Sequence, residues 1–317
     1  MMTGGPDTPL KADSYGADLL AEVPTLARIA AGEPWKPEEV PQDLWNTLAR
    51  GIVGFELRYY LRRISTWVYF GIFFLLAFLL VHLAGGAWDS VQVAVGGSGG
   101  NVHVNSPYST AQLSGAVSLF GVLVTAALVG NAVCRDFDTG VYSLFFTTPV
   151  SRASYLGGRF TGAVLVNALI LASIPLGLAV GAAMPYLDRE RFGAFDAGAY
   201  LNPFLVFLLP NLLLTGAIFF ALAALTRRML PNYVGGIFLL LGYTISGEYL
   251  EDLENDRLVG MLDAFGFGPY ELVARYWTPA EKNTLLVPLE GLLLAAYTAA
   301  ALVTAILTLT RRELTSG

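Results

Sequence analysis

Long apolar runs alternate with short polar ones along the chain. The apolar runs lie at about Thr66–Leu83, Leu113–Val133, Phe160–Met184, Phe204–Leu225, Tyr233–Leu250 and Leu285–Leu309. About 20 apolar helical residues cross a hydrocarbon core of about 30 Å. The pattern therefore predicts an all-α membrane protein with six transmembrane helices. The fifth run is the weakest, because Gly242, Tyr243, Thr244 and Ser246 make its second half polar. Pro175 and Pro210 fall inside the third and fourth. Trp67 and Tyr69 sit at one edge of the first run and Trp88 just past the other, where amphipathic rings favour the interface.

The arginines set an orientation. Arg58, Arg62 and Arg63 precede the first run, and Arg135, Arg152 and Arg159 separate the second from the third. Arg227 and Arg228 separate the fourth from the fifth, and Arg311 and Arg312 follow the sixth. The opposite loop at 84–112 has no Lys or Arg, and those at 185–203 and 251–284 offset theirs with acids. Positive loops stay in the cytoplasm. Both termini are thus expected in the cytoplasm of a multi-pass chain of the inner (plasma) membrane. Gly96–Gly100 reads as a flexible outer loop.

Composition agrees with this picture. Of 317 residues, 55% are hydrophobic and 14% charged, with a mean hydropathy of +0.56. A soluble domain carries about 25% charged residues. The net charge of -6 gives no overall basic face, so no nucleic-acid partner is expected. A single cysteine, Cys134, cannot form an internal disulfide. His82 and His103 are distant and are read as interfacial polar residues, with no metal site expected. There is no phosphate-binding loop, H-E-x-x-H or C-x-x-C motif. The spans hold no Ser–His pair and no paired aspartates, so no catalytic residue and no enzyme activity are expected. Residues 1–46 lack a basic start followed by an apolar core, and read as a partly disordered cytoplasmic extension. Leu19, Leu20, Val23, Leu26 and Ile29 recur at helical spacing within it, over Asp18–Ala31. Residues 47–317 form the membrane domain.

Two segments on the arginine-rich side carry further information. In Leu44–Arg63, Leu44, Leu48, Ile52, Phe55 and Tyr59 recur at steps of three and four, with Arg50, Glu56, Arg58 and Arg62 on other faces. This is an amphipathic helix suited to the headgroup plane, or a plain basic anchor. Trp45, Leu48, Ile52, Phe55, Glu56 and Arg58 are its candidate residues. The second segment, Cys134–Phe160, is too long and too apolar for a plain turn. Val141, Leu144, Phe145 and Val150 are apolar on a stretch flanked by charge. Such a stretch either forms a short helix that enters a partner's groove or packs beneath the bundle. Pro149 would end that helix and Ser151 could cap the next.

The second segment resembles the coupling region of type-2 ABC transporter permeases. The matching residues are Arg135, Asp136, Asp138, Gly140, Leu144, Thr147, Pro149, Ser151, Arg152, Tyr155, Leu156, Gly158 and Arg159. The resemblance covers about residues 47–312. It implies that the helix before the first span is the family's elbow helix, and that a cytoplasmic coupling helix between spans two and three sits on an ATPase. It also implies two ATPase subunits that supply ATP and Mg, and a second permease subunit, identical or different. Phe55–Arg63, Asn105–Tyr108, Arg135–Asp138 and Leu201–Phe220 look closest to the permease part of bacterial permeases fused to a zinc aminopeptidase-like domain. This chain lacks the H-E-x-x-H of those relatives, so their peptidase activity does not carry over.

Polar residues inside the runs are few. Asn131, Asn167 and Asn211 either make interhelical hydrogen bonds, worth about 0.6–2 kcal/mol, or line a substrate path. Glu290 lies near the outer end of the sixth run, and no span is expected to bury a Lys or Arg. A proton-driven pump usually places titratable groups at mid-bilayer, so the energy is expected from an attached motor. In Glu251–Thr284, Leu253, Leu258, Met261, Leu262, Phe265 and Phe267 suggest a half-buried helix that Gly266, Gly268 and Pro269 would break in two. The resemblance likewise implies extracytoplasmic helices before the sixth span. The sequence thus reads as the permease of an exporter with an unidentified substrate. A non-transporting scaffold that retains the fold is the alternative, and an intramembrane enzyme is disfavoured.

Overall fold

Every regular element that can be described is a helix. The computed structural model describes residues 42–88, 101–138, 152–251, 263 and 265–288. Helix α1 is Gln42–Leu61, α2 Ile64–Ala84 and α3 Pro107–Asp138. Arg152–Leu171 (α4) and Ser173–Ala182 (α5) form one nearly continuous rod. Ala197–Pro203 (α6), a π-turn at Phe204–Leu208 and Leu209–Thr226 (α7) form another. Leu230–Glu251 (α8), Phe267–Ala274 (α9) and Pro279–Thr284 (α10) follow. Among the described residues four stretches are long and apolar enough to cross a membrane: Ile64–Ala84, Pro107–Arg135, Tyr155–Ala182 and Ala197–Thr226. In α8 the described side chains end at Ile245, and Leu230–Ile245 is a shorter apolar stretch. The greater part of the sixth run, the Asp18–Ala31 and Gly96–Gly100 segments, and Leu253, Leu258, Met261 and Leu262 lie outside the described residues.

The prolines account for the breaks. Pro175 has no N–H, and its ring would crowd the carbonyl of Leu171, so the rod interrupts at Ala172 and restarts with Pro175 in the first turn of α5. Pro210 similarly cannot donate to Val206, and the turn before it widens to a π-turn. Helix α3 begins earlier than the apolar run, because Pro107 starts it and Ser106 Oγ accepts from Ser109 N at 3.2 Å. Gly266 (φ +80°) turns the chain into α9, so Gly268 and Pro269 occupy that helix's first turn and do not break it.

Helix α3 is the hub, touching α2, α4, α5, α6, α7, α8 and α10. Helix α2 is peripheral: 22% of its apolar window is buried, against 61% for α3. It packs on α5 through small residues, since a Cβ on Gly177 would strike Phe74 O and one on Gly181 would lie 3.2 Å from Val81 Cβ. This Gly-x-x-x-Gly approach replaces hydrophobic driving force with close van der Waals contact. One end of the bundle carries α1 and the exposed Arg50, Arg58, Arg62, Arg63, Arg227 and Arg228. The other carries residues 101–106, 185–196, 263 and 265–288.

Candidate functional site

Three elements meet on one carboxylate at the basic end. Glu56 of α1 is fully buried, although the periodicity of Leu44–Arg63 puts it on a charged face. Its Oε1 accepts from Arg135 Nη2 of α3 at 2.6 Å and from Arg159 Nη1 of α4. Gly162 makes room for the carboxylate stem, since a Cβ there would lie 2.5 Å from Glu56 Cβ. Arg159 is itself buried. Helix α4 starts at Arg152, ahead of the apolar run, so a buried arginine does sit in a membrane-length helix, contrary to expectation. Its charge is tolerable there because Glu56 neutralises it.

Aromatic rings complete the cluster. The Arg135 guanidinium lies 4.1 Å from the Tyr59 ring centroid and 5.6 Å from that of Phe55. That of Arg159 lies 5.7 Å from Phe55 and 5.5 Å from Tyr155. Ring faces attract cations that have lost water. Below them, buried Tyr60 donates to Leu128 O at 3.0 Å and accepts from Asn131 Nδ2 at 3.1 Å. Burial pushes the Tyr60 hydroxyl's pKa up.

The other candidate residues scatter. Gly140, Val141, Leu144, Phe145, Thr147, Pro149 and Ser151 lie outside the described residues. The side chains of Trp45, Leu48, Asp136 and Arg152 also fall outside them, although their backbones are helical. Arg58 and Asp138 are exposed, and Ile52 is half-buried. The three asparagines bond to three different partners. Asn131 binds Tyr60, Asn167 Nδ2 donates to Thr125 Oγ1 at 2.7 Å, and Asn211 Nδ2 donates to Phe265 O at 3.0 Å. Each makes a structural bond between separate elements.

Several asparagines outside that set also hold the fold. Asn232 is buried and donates to Ala126 O at 3.3 Å and Phe219 O at 3.1 Å. Asn105 and Gly193 exchange two bonds, at 2.9 and 2.7 Å. Asn202 and Val287 do the same, at 3.1 and 2.9 Å. At this end Tyr108 and Gln112 of α3 donate to the two oxygens of Glu271, both at 2.8 Å. Burial pushes the Tyr270 hydroxyl's pKa up. Among the described residues no three His, Cys, Asp or Glu side chains gather. No family model matches the chain, and no curated protein matches it.

Proposed function

We propose that the chain is the membrane subunit of an ABC-type exporter, driven by separate ATPase subunits. One observation carries the reading: Arg135 precedes the 139–151 segment, Arg159 follows it, and both bind Glu56 of α1. A push on that segment reaches α1, α3 and α4 together, because they share one carboxylate. In this reading α1 is the elbow helix, residues 139–151 hold the coupling helix, and residues 289–309 complete a sixth span. Both termini lie in the cytoplasm. The chain works with a second permease subunit and two ATPases that bind ATP and Mg, and supplies no catalytic group.

The test is purification of the tagged chain from native membranes, beside Leu144→Asp at matched membrane levels. The expected result is an ATP-hydrolysing subunit that travels with the parent chain and is lost from the variant, because a charge buried in a docking pocket without a partner is costly. Retention by Leu144→Asp would remove the coupling role of this segment. Partners without ATPase activity would favour the scaffold alternative. Cysteine labelling at Ser98 and Ser316, with Cys134 replaced, tests the topology: an impermeant reagent should reach only position 98 in intact cells.

A further inference from the structure

We propose that the corner between α1 and α2 is a docking site for the headgroup of an anionic phospholipid. This rests on α2 crossing a bilayer. Two side-chain hydrogen bonds join the helices across the corner. Thr66 Oγ1 of α2 donates to Tyr60 O of α1 at 2.7 Å, and Trp67 Nε1 donates to Leu61 O at 2.9 Å. Side chains of one helix thus satisfy the last carbonyls of the other and hold the angle between them.

Two exposed guanidinium groups stand on this corner. Arg63 lies 4.7 Å from the Tyr59 ring centroid, and neither Arg62 nor Arg63 pairs with an acid among the described residues. Directly along α2 runs an apolar stripe: Ile64 is 81% exposed, Trp67 53% and Val68 49%, with Ile72 and Leu75 continuing it. Guanidinium matches a phosphodiester in charge and in its forked donors, the indole suits the headgroup depth, and the stripe suits an acyl chain. A basic cluster beside a spanning helix attracts anionic lipid. Among the described residues the opposite end offers no equivalent: Arg189, Arg191 and Arg275 share it with Asp188, Glu190, Asp196, Glu271 and Glu281, and Arg191 binds Asp188 at 3.3 Å.

The test uses a chain with Trp67 as its sole tryptophan, in vesicles of phosphatidylglycerol and phosphatidylcholine at one fixed ratio. One lipid or the other carries bromine, at equal bromine content. The expected result is about threefold stronger quenching by brominated phosphatidylglycerol, falling to equality in Arg62→Gln/Arg63→Gln. Quenching by brominated phosphatidylcholine should persist in the double variant, which shows that it still folds and inserts. Millimolar inorganic phosphate should leave the preference intact, since the lipid and not a free anion occupies the site. Equal quenching by both lipids in the parent chain would overturn the proposal, as would abolition of the preference by phosphate. Weak quenching by both with a dimer cross-linked through α2 would give the stripe to a second copy and also overturn it. Absence of quenching with neither dimer nor insertion would instead refute the membrane reading on which it rests.

Discussion

At the basic end, α1, α3 and α4 meet on a single buried carboxylate shared by two arginines; at the opposite end, neutral asparagine amides join the segments. Both arrangements connect residues far apart in sequence, but they differ in what happens when one partner leaves. A neutral reciprocal pair such as Asn105 with Gly193 satisfies a backbone N–H and a carbonyl together, and losing it exposes modest dipoles. An ion cluster left with unpaired charge is far less tolerable. One shared group ties α1, α3 and α4 into a single unit, whereas the amide clasps join their segments pair by pair.

The contrast is broken most directly by Glu56→Ala, which removes the carboxylate that buried Arg159 and partly exposed Arg135 share. Stability should fall by about 3–5 kcal/mol in denaturant titrations in one detergent, with Glu56→Gln milder. A loss under about 1 kcal/mol would mean that the cluster does not hold the end together. Asn105→Ala or Asn202→Ala should each cost about 1–3 kcal/mol. Hydrogen exchange should locate that damage around residues 191–193 or 285–288 and leave α1 unchanged.

Phe55→Ala sharpens the comparison at smaller amplitude. Phe55 is exposed, so its loss removes little packing, but it withdraws a ring face from both arginines. About 0.5–2 kcal/mol is expected by the same titration, and Phe55→Tyr should restore it. The smallest effect belongs to Glu281. Hydrogen bonds from the backbone and side chain of Thr278 hold its carboxyl's pKa below the ordinary value. The cap is therefore intact above the ordinary carboxylate pKa and is lost as pH falls through the lowered one. With Trp277 as the only tryptophan, its emission should respond only once the pH falls below the ordinary glutamate pKa, and not in Glu281→Gln.

Much of this was legible in the sequence. Apolar runs placed the membrane-length helices, and the motif residues Arg135 and Arg159 are two of the three partners at the basic end. Glu56 was not legible as a buried group, because its partners lie 79 and 103 residues away and a local pattern sees only a charge on a helix. Helix starts were readable but missed: Ser106–Pro107 is a cap followed by a first-turn proline, six residues before the apolar run begins at Leu113. Asn232 was passed over for a related reason, since it falls one residue ahead of the predicted fifth run at Tyr233. The amide clasps leave no trace in the hydrophobic periodicity, although Asn105 and Asn202 fall within the segments Asn105–Tyr108 and Leu201–Phe220 that carried the resemblance. Asn105 and Asn202 look like loop or helix-end asparagines until the fold brings Gly193 and Val287 to them.

The most direct measurement is hydrogen exchange on the chain purified with the ATPase subunits proposed for it, without nucleotide and after trapping with ATP and vanadate. The expected result is altered protection in residues 50–61 and 155–162, around Glu56 and Arg159, with 101–110 and 189–203 unchanged. Protection that changes only at the clasped end, or nowhere, would contradict the claim that the shared carboxylate lies on the route from motor to membrane.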